Sequence, residues 1–251
     1  TAMIAHILIE TDRDPSYIIG GVLTTTGQNA GVGAGDAFVV EADEYDNMFL
    51  GLRPNIAVVT NVEWDHPDFF PTPEAMQRSF EQFIDLLPYD GTLILNVDLP
   101  MATPLRRQSC VTYGRSPAAE WHVANAHSVG ERLQFDIGYR DQMVMNTALR
   151  VPGVHNALNA LAAMLAVGKA GEADFESSAK ALSTFKGTAR RFELKGEVDG
   201  IAVIDDYAHH PAKIRATLQA ARERYPDRQI WAVWQPHTYS RTQALMGDFL
   251  T

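Results

Sequence analysis

Several short apolar runs near the start of the chain constrain the fold more than any other feature of the sequence. None of them alternates strictly between apolar and polar residues, as a strand with one solvated face does. Continuous apolar runs of this length indicate strands buried on both faces, and the amphipathic stretch 73–87 between them indicates a helix. The pattern predicts an α/β fold with a mostly parallel central sheet flanked by helices. The runs are "SYIIGGVL" (16–23), "AFVVEAD" (37–43), "NIAVVTN" (55–61), "GTLILNV" (91–97) and "CVTYG" (110–114).

The pattern changes after residue 120. Residues 121–151 alternate between apolar and polar positions, which predicts a small antiparallel hairpin or meander. Two helices are expected next, over residues 152–171 and 174–184, the first opened near a Pro-Gly pair and closed near Gly171. These elements complete the first predicted domain.

A second, smaller domain is expected after the glycine-containing connector 186–192. The order of patterns there is a strand at 201–207, a helix at 211–225 and a strand at 230–236, which predicts a β-α-β unit. The chain is therefore divided into two predicted domains, 1–188 and 189–251.

Composition excludes several classes of protein. The 251 residues carry a formal net charge of −10 and contain no run of Lys or Arg, which argues against a general binder of nucleic acid or anionic membranes. A negatively charged partner would be a small ligand held by a few basic groups. The single cysteine, Cys110, excludes a disulfide framework and fits a reducing compartment. No apolar stretch reaches the roughly 18 residues of a membrane span, and a basic leader is missing, so a cytoplasmic location is expected. A homo-oligomer is compatible with these properties.

Acidic groups and a histidine follow two neighbouring predicted strands. In an open parallel sheet, ligands bind beyond the carboxyl ends of the strands, so these groups should face one cleft. Carboxylates with an imidazole suit Mg²⁺ or Mn²⁺ on a phosphate ligand, whereas a structural zinc site would call for more cysteine. A solvated acidic loop with a capping Asp is the alternative. The residues are Glu41, Asp43, Glu44 and Asp46 after the first strand, and Asn61, Glu63, Asp65 and His66 after the second.

Two further motifs suggest nucleotide contacts. "HNALNALAA" places His155, Asn156 and Asn159 near a helix start, where side-chain amides could read a purine edge or simply cap the helix. "ARRFE" places Arg190 and Arg191 in the connector, where a guanidinium could reach a phosphate as a hinge closes or remain solvated. The residues alone leave both alternatives open.

The stretch "VIDDYAHHPAKI" is more specific. Pro211 alone would suffice to begin a helix, yet acidic, aromatic and imidazole side chains precede it, which favours a site. "QPHTYSRT" repeats the arrangement after the next predicted strand. The candidate residues are Asp205, Asp206, Tyr207, His209 and His210 in the first stretch, and His237, Tyr239 and Arg241 in the second.

Six motifs in order resemble the Mur ligase family, ATP-dependent amide-forming enzymes of peptidoglycan synthesis: "EADEYD", "TNVEWDHPD", "HNALNALAA", "ARRFE", "DDYAHHP" and "QPHTYSRT". The resemblance implies a first domain for a UDP-sugar, a central ATP-binding domain and a Rossmann-like C-terminal domain that brings the amino acid. The family's phosphate-binding loop, of the Gly-Thr-His-Gly-Lys-Thr type, would lie before Thr1. We therefore expect a central domain without its start and a shortened C-terminal domain, and no turnover by these residues alone.

The resemblance also implies roles for individual residues. Glu41 and His66 match ligands of Mg²⁺, and Glu81 stands where some relatives carry a carbamylated lysine, so we expect it to supply a carboxylate to a second metal. Thr238 stands where some members have a second arginine, which puts that contact in doubt. An imidazole, His66 or His209, is expected to accept the proton of the attacking amine.

The remaining roles concern ATP and the amino acid. Asn156 and Asn159, with His155, match the adenine-reading residues; Arg191 matches a phosphate contact and Asp206 a ribose contact. Amino-acid and product contacts are expected from Tyr207, His237 and Arg241.

The implied reaction joins L-alanine to the carboxylate of UDP-N-acetylmuramate through an acyl phosphate, using ATP and Mg²⁺. The first alternative is the relative that attaches a whole murein tripeptide to the same sugar, although "QPHTYSRT" argues against it. Folylpolyglutamate synthetase is a more distant alternative, poorly matched at "DDYAHHP". A non-catalytic nucleotide-binding module is the alternative from a different class.

Overall fold

The computed structural model describes residues 1–98, 101, 103–107 and 110–250. Its α-helices are α1 (Ala2–Glu10), α2 (Pro73–Ile84), α3 (Val154–Lys169), α4 (Phe175–Leu182), α5 (Pro211–Arg224), α6 (Tyr239–Ala244) and α7 (Met246–Phe249), with 3₁₀ helices at Tyr45–Gly51 and Thr103–Leu105. Its strands are β1 (Ser16–Ile18), β2 (Ala30–Gly31), β3 (Phe38–Val40), β4 (Ile56–Val59), β5 (Thr92–Asn96), β6 (Cys110–Gly114), β7 (Trp121–Val129), β8 (Arg132–Tyr139), β9 (Gln142–Leu149), β10 (Glu193–Val198) and β11 (Ile201–Asp205).

The largest sheet has six strands in the order β4-β5-β6-β7-β8-β9. β4 to β7 run parallel, with Ile56 opposite Thr92 and Leu93 opposite Cys110. Two-residue links join β7 to β8 and β8 to β9, and only antiparallel neighbours can be joined by so short a link. The mostly parallel sheet and the meander after residue 120 are therefore both confirmed.

The described chain forms two compact units, which we name unit 1 and unit 2. Unit 1 comprises Thr1–Glu41, Asn125–Asp136 and Asn146–Gln235; unit 2 comprises Ala42–Ala124, Ile137–Met145 and Pro236–Thr251, of which the structure describes the parts stated above. The two-domain division at residues 188 and 189 stays a prediction.

Unit 1 is built around helices α1, α3 and α4, which pack against one another. α3 is rich in Ala and Leu, and small side chains let its neighbours approach closely; Ala160, Leu161 and Met164 are fully buried. α4 begins at Asp174, whose carboxylate accepts the Ser177 N–H at 2.7 Å and caps the helix. The unit also holds the sheet β2-β1-β3 and the antiparallel pair β10-β11.

Unit 2 packs the 3₁₀ helix Tyr45–Gly51 and α2 against the parallel strands. Phe49 stacks on Phe83 with ring centroids 4.8 Å apart, and both side chains are buried with Leu93 and Leu95. Thr72 caps α2, because its hydroxyl accepts the Ala75 N–H, and Pro73 suits the first helical turn. This core fixes the ends of β4 and β5 that precede the candidate site.

Several strand predictions differ from the structure. The runs 16–23 and 37–43 were expected in the central sheet, but β1 and β3 form a separate three-stranded sheet with β2, so the prediction that 37–43 and 55–61 are neighbouring strands is wrong. The prediction of a strand at 230–236 is wrong: β11 pairs antiparallel with β10, and the later segment is irregular, with Trp231 82% and Val233 97% exposed. A strand needs a pairing partner, and the hairpin supplies β11 with one from the chain just before it. The run 16–23 forms a strand only over Ser16–Ile18, since Gly20 and Gly21 interrupt it.

None of the helices in the described part of the chain has both the length and the apolar composition needed to cross a membrane.

Candidate active site

His66 lies beyond the carboxyl end of β4 in unit 2, where the sequence predicts a site. Its backbone is left-handed, with a φ of 56°. Its Nε2 atom lies 3.7 Å from Oε1 of Glu44, and its ring stacks at a tilt on Tyr45 with a centroid distance of 4.7 Å. Tyr45 is held in turn, because its hydroxyl donates to Oδ2 of Asp68 at 3.0 Å. The structure therefore brings an imidazole, a carboxylate and an aromatic ring together at this strand end.

Asp65 is the buried acid of the same loop. Its Oδ1 atom accepts a hydrogen bond from Nε of Arg241 at 2.6 Å and another from the backbone N–H of His66 at 2.7 Å. Burial by itself would raise the pKa of Asp65, but the bonds from Arg241 and His66 outweigh it and hold the pKa below its ordinary value. Asp65 is therefore a charged group inside unit 2.

Arg241 is 3% exposed. It lies in α6, which Thr238 caps, and its Nη1 atom donates to the carbonyl of His237 at 3.4 Å. The motif "QPHTYSRT", which contains Arg241, therefore contacts the loop that carries Asp65 and His66. The guanidinium faces a carboxylate of the protein itself, so the substrate-binding roles of Arg241 and His237 stay predictions.

Glu41 and Glu81 were also expected to bind metal. Glu41 follows β3 in unit 1, and its exposed side chain passes over Gly20, where a Cβ would lie 2.6 Å from Oε1. Glu81 lies on α2 of unit 2 and accepts a hydrogen bond from Nε2 of Gln77 at 3.1 Å. Across the described ranges, no three His, Cys, Asp or Glu side chains are grouped closely enough to hold a metal ion by themselves.

Mg²⁺ nevertheless suits the groups present. This ion commonly keeps several waters and binds through one or two carboxylates together with substrate phosphates, without a complete protein cage. In unit 2, the Glu44 carboxylate beside His66 at the end of β4 is a ligand of that kind. The assignment of the metal to Glu41, His66 and Glu81 stays a prediction.

The predicted adenine-reading residues lie at the start of α3 in unit 1. Gly153 precedes the helix with a φ of 91°, a conformation that a side chain would strain. Asn156 donates from Nδ2 to the carbonyl of Pro152 at 2.7 Å, and its Oδ1 faces Nδ2 of Asn159 at 3.5 Å. The two amides are therefore held beside each other by the turn that opens the helix.

His155 connects this helix start with the other predicted nucleotide contacts. Desolvation by nearby protein atoms lowers the pKa of His155, although the residue as a whole is exposed. The carboxylates of Asp206 and Glu223 act against this shift, and the Arg191 guanidinium acts with it. The predicted residues His155, Arg191 and Asp206 therefore share one electrostatic environment in unit 1.

Asp206 fixes the connector after residue 189. Its Oδ2 atom accepts the Phe192 N–H at 2.8 Å, and its Oδ1 atom accepts the Ala208 N–H at 2.7 Å. Arg190 and Phe192 both have left-handed backbones, with φ values of 58° and 50°. Asp206 thus holds a strained turn and the end of β11 together, and its predicted ribose contact would have to be made alongside these bonds.

The aromatic residues after β11 form a short stack. The Arg190 guanidinium lies 4.8 Å from the centre of the Tyr207 ring, and Tyr207 meets the His209 ring edge to face at 4.9 Å. Nδ1 of His209 lies 2.8 Å from the carbonyl of Tyr207 and donates a hydrogen bond to it.

The sequence did not identify all the members of the two groups. Tyr45 stacks on His66, and the signal for it was an aromatic residue inside the acidic run "EADEYD". Glu223 acts on His155 from α5, and no local motif marks it. The pairing of Asp65 with Arg241 joins residues 176 apart, which no spacing rule finds.

A parallel sheet in which β4 ends at a histidine beside a carboxylate, and a helix that begins with paired amides, are features typical of α/β proteins that bind nucleotides. The chain belongs to the Mur ligase family. Residues 2–167 match the Mur ligase middle domain, and residues 190–251 match the domain described as "Mur ligase, glutamate ligase domain".

Two curated relatives are similar to this chain over nearly its whole length. A UDP-N-acetylmuramate--L-alanine ligase from Salinibacter ruber is 46% identical over 99% of this chain and 53% of its own length, and one from Renibacterium salmoninarum is 47% identical over 99% and 54%. The chain spans about half the length of the curated relatives it matches.

Solved structures of ligases named for UDP-N-acetylmuramate are also similar to this chain. The UDP-N-acetylmuramate-alanine ligase of Thermotoga maritima has a TM-score of 0.82 and 28% identity, covering 97% of this chain and 56% of that one. The ligase of Neisseria meningitides named for UDP-N-acetylmuramate and L-alanyl-gamma-D-glutamyl-meso-diaminopimelate has a TM-score of 0.68 and 26% identity, covering 75% and 63%.

Proposed function

We propose that this chain is the middle part of an ATP-dependent ligase that joins L-alanine to the carboxylate of UDP-N-acetylmuramate in peptidoglycan precursor synthesis. The observation that carries the proposal is 46% identity over 99% of the chain to a relative bearing that name. The cytoplasmic location and a homo-oligomeric state stay predictions from the sequence.

ATP would be bound by unit 1. The paired amides of Asn156 and Asn159, with His155, would contact adenine, and Asp206 would contact the ribose. Arg191 is exposed and close enough to act on His155, so its guanidinium would meet the phosphates of a nucleotide bound at the start of α3.

The chemistry has two steps. A carboxylate oxygen of UDP-N-acetylmuramate attacks the γ-phosphorus of ATP, and ADP leaves. The amine nitrogen of L-alanine then attacks the acyl carbon, and phosphate leaves with the original carboxylate oxygen. Bound Mg²⁺, held by Glu41 and His66 with Glu81, would offset the negative charge on the transferred phosphoryl group.

The attacking amine must lose a proton. His209, one of the two imidazoles expected from the sequence, would take this role. His66 is the other imidazole expected from the sequence, and a metal-bound His66 could not act as the base. Tyr207 and His237 would contact the amino acid and the product.

The test is phosphate release by a chimera in which residues 1–251 replace the matching half of the Salinibacter ruber relative. ATP, Mg²⁺ and UDP-N-acetylmuramate are supplied with either L-alanine or the murein tripeptide. Release that depends on L-alanine supports the proposal. Release only with the tripeptide assigns the chain to the tripeptide-attaching ligases. If neither substrate causes phosphate release while the unmodified Salinibacter ruber enzyme is active, the proposal is contradicted.

The 251-residue chain alone is a second arm of this experiment. We expect weak ATP binding and no turnover, because a loop that donates backbone N–H groups and a lysine to the phosphates would have to be supplied from outside these residues. Ligation by the isolated chain would contradict this expectation.

The Glu81 assignment is tested within the chimera by comparing Glu81→Gln with Glu41→Gln. If both carboxylates serve the metal, both variants need more Mg²⁺ for half-maximal rate. A normal Mg²⁺ requirement in Glu81→Gln alone would remove Glu81 from the metal site and leave the bond to Gln77 as its role.

A further inference from the structure

The bond between Arg241 and Asp65 joins the two family domains inside unit 2. Asp65 lies in the part of the chain that matches the middle domain, and Arg241 lies in the part that matches the glutamate ligase domain. Their side chains are 7% and 4% exposed, and Nε and Oδ1 are 2.6 Å apart. A charge pair this well buried keeps its geometry, because breaking it would leave an ion without water or partner.

The same Asp65 oxygen also accepts the backbone N–H of His66. The single atom Oδ1 thus receives the Arg241 guanidinium and the His66 amide, at 2.6 and 2.7 Å. Any shift of Arg241 that moves this oxygen also changes the support of the His66 backbone.

His66 needs that support. A φ of 56° is unfavourable for a residue with a side chain and persists only where the surroundings impose it. The left-handed turn directs the imidazole toward Glu44 and against the Tyr45 ring. If the turn relaxed to an ordinary conformation, Nε2 would leave Glu44.

We propose that Asp65 and Arg241 are positioning residues, which transmit the placement of the α6 segment to His66 and so set the imidazole for its metal-binding role. This inference rests on the proposed function for the metal role, but its structural part concerns this chain alone. It assigns Arg241 a task inside the protein, in place of the direct substrate contact expected from the sequence.

Arginine suits this task better than lysine. Its planar guanidinium donates from Nε to Asp65 while Nη1 donates to the His237 carbonyl at 3.4 Å, so one side chain holds both the acid and its own helix start. A lysine carries the charge but cannot reproduce this fixed pair of donors. The conservative exchange therefore separates charge from geometry.

The direct test is histidine NMR on the 251-residue chain, with the His66 ring signals assigned by their loss in His66→Gln. Arg241→Gln and Arg241→Lys are compared with Arg107→Gln. The control removes the same charge from another pair of unit 2, in which Arg107 lies 3.5 Å from an Asp85 side chain that is 68% exposed.

We expect the wild-type His66 signals to be lost or displaced in both Arg241 variants and retained in the control. Unchanged His66 signals in a folded Arg241→Gln protein would overturn the proposal. If Arg241→Gln does not fold, the decision passes to Arg241→Lys and to the double variant Asp65→Asn with Arg241→Gln, which leaves no unpaired buried charge. His66 signals at their wild-type position in either of these would equally overturn it.

The metal role has its own readout in the chimera. Loss of a group that orients a metal ligand commonly costs about 10- to 100-fold in metal affinity or activity, so Arg241→Lys should raise the Mg²⁺ concentration for half-maximal rate about tenfold. The KM for ATP should stay unchanged. A raised KM for L-alanine with a normal Mg²⁺ requirement would overturn the positioning role. A chimera without any turnover would contradict the proposed function and leave the NMR result to decide this inference.

Discussion

The His66 loop of unit 2 and the Asp206 connector of unit 1 each hold a left-handed residue in place, but the aspartates that do so have different partners. In each, an aspartate accepts backbone N–H groups next to a left-handed residue: Asp65 for His66, and Asp206 for Phe192. Asp65 is 5% exposed and carries a buried guanidinium on the same oxygen, whereas Asp206 is half-buried and accepts two backbone donors.

The difference lies in what happens when a partner is removed. Water can reach a half-buried turn and replace part of a lost hydrogen bond. It cannot reach a buried guanidinium, which would keep its charge without a counterion. The His66 loop is therefore the more rigidly determined of the two.

The largest effect is expected from Asp65→Ala. This change leaves Arg241 buried without its carboxylate, and such a loss costs about 3–5 kcal/mol of unfolding free energy. Urea unfolding of the 251-residue chain measures it. The matched control is Asp85→Ala, which breaks an exposed pair and should change the unfolding free energy by less than about 1 kcal/mol. Equal effects of the two variants would show that the burial of Asp65 does not determine its contribution to stability.

A smaller effect is expected from Asp206→Ala. Two backbone donors lose their acceptor in a half-buried site, which should cost about 1–3 kcal/mol. Hydrogen exchange should speed up at the amides of Phe192 and Ala208. The neighbouring Asp205→Ala, which removes an exposed pair with Arg190, should leave both amides protected; a loss of protection in the control would show that Asp206 is not the specific anchor.

The pH dependence of stability tests whether burial, and not membership of a unit, decides the size of these effects. His6 is buried in unit 1; its Nε2 donates to the Ala181 carbonyl at 3.0 Å, and its Nδ1 has no partner among the described residues. Burial lowers the pKa of His6, against the smaller opposing influence of Ala181 and Glu10.

The sign follows from the lowered pKa. Below the ordinary histidine pKa of 6.5 the unfolded chain binds a proton that the folded chain resists, so stability falls as the pH decreases from that point until the folded pKa is reached. The slope from one group is at most about 1.4 kcal/mol per pH unit. Unfolding measured at successive pH values should show this slope in the wild type and a smaller slope in His6→Gln. His127→Gln, at an exposed histidine, should keep it; an equal slope in His6→Gln would contradict the role of His6.

The smallest effect is expected from Arg190→Ala. The contact of its guanidinium with the Tyr207 ring lies at the surface and should contribute about 0.5–1 kcal/mol. Urea unfolding should show a change of that size, and Arg190→Lys should recover part of it. A loss of unfolding free energy as large as that of Asp65→Ala would show that a surface contact in unit 1 stabilises the chain as much as the buried pair in unit 2.

The sequence predicted the parts of the fold that burial decides. Apolar runs such as residues 55–61 and 91–97 specified neighbouring parallel strands, and acidic groups after the first of them located the His66 site. The strand predicted at 230–236 does not form, because a strand needs a neighbouring strand to pair with, and the apolar content of the segment does not supply one.

Side-chain partners were harder to predict than strand positions. The sequence placed Asp65 and Arg241 each at a site, but their contact spans 176 residues and depends on where α6 packs. Asp206 was expected at a ribose, and its bonds to Phe192 and Ala208 depend on the left-handed turn of the connector. Such turns leave little trace in residues other than glycine.

The most direct test of the central claim follows the oxygen atoms of the reaction. UDP-N-acetylmuramate labelled with ¹⁸O in both carboxylate positions is given to the chimera with ATP, Mg²⁺ and L-alanine, and the released phosphate is analysed by mass. An acyl phosphate requires one labelled oxygen in each phosphate and one in the amide product. Unlabelled phosphate would mean that ATP is hydrolysed by water, and it would contradict the ligase assignment.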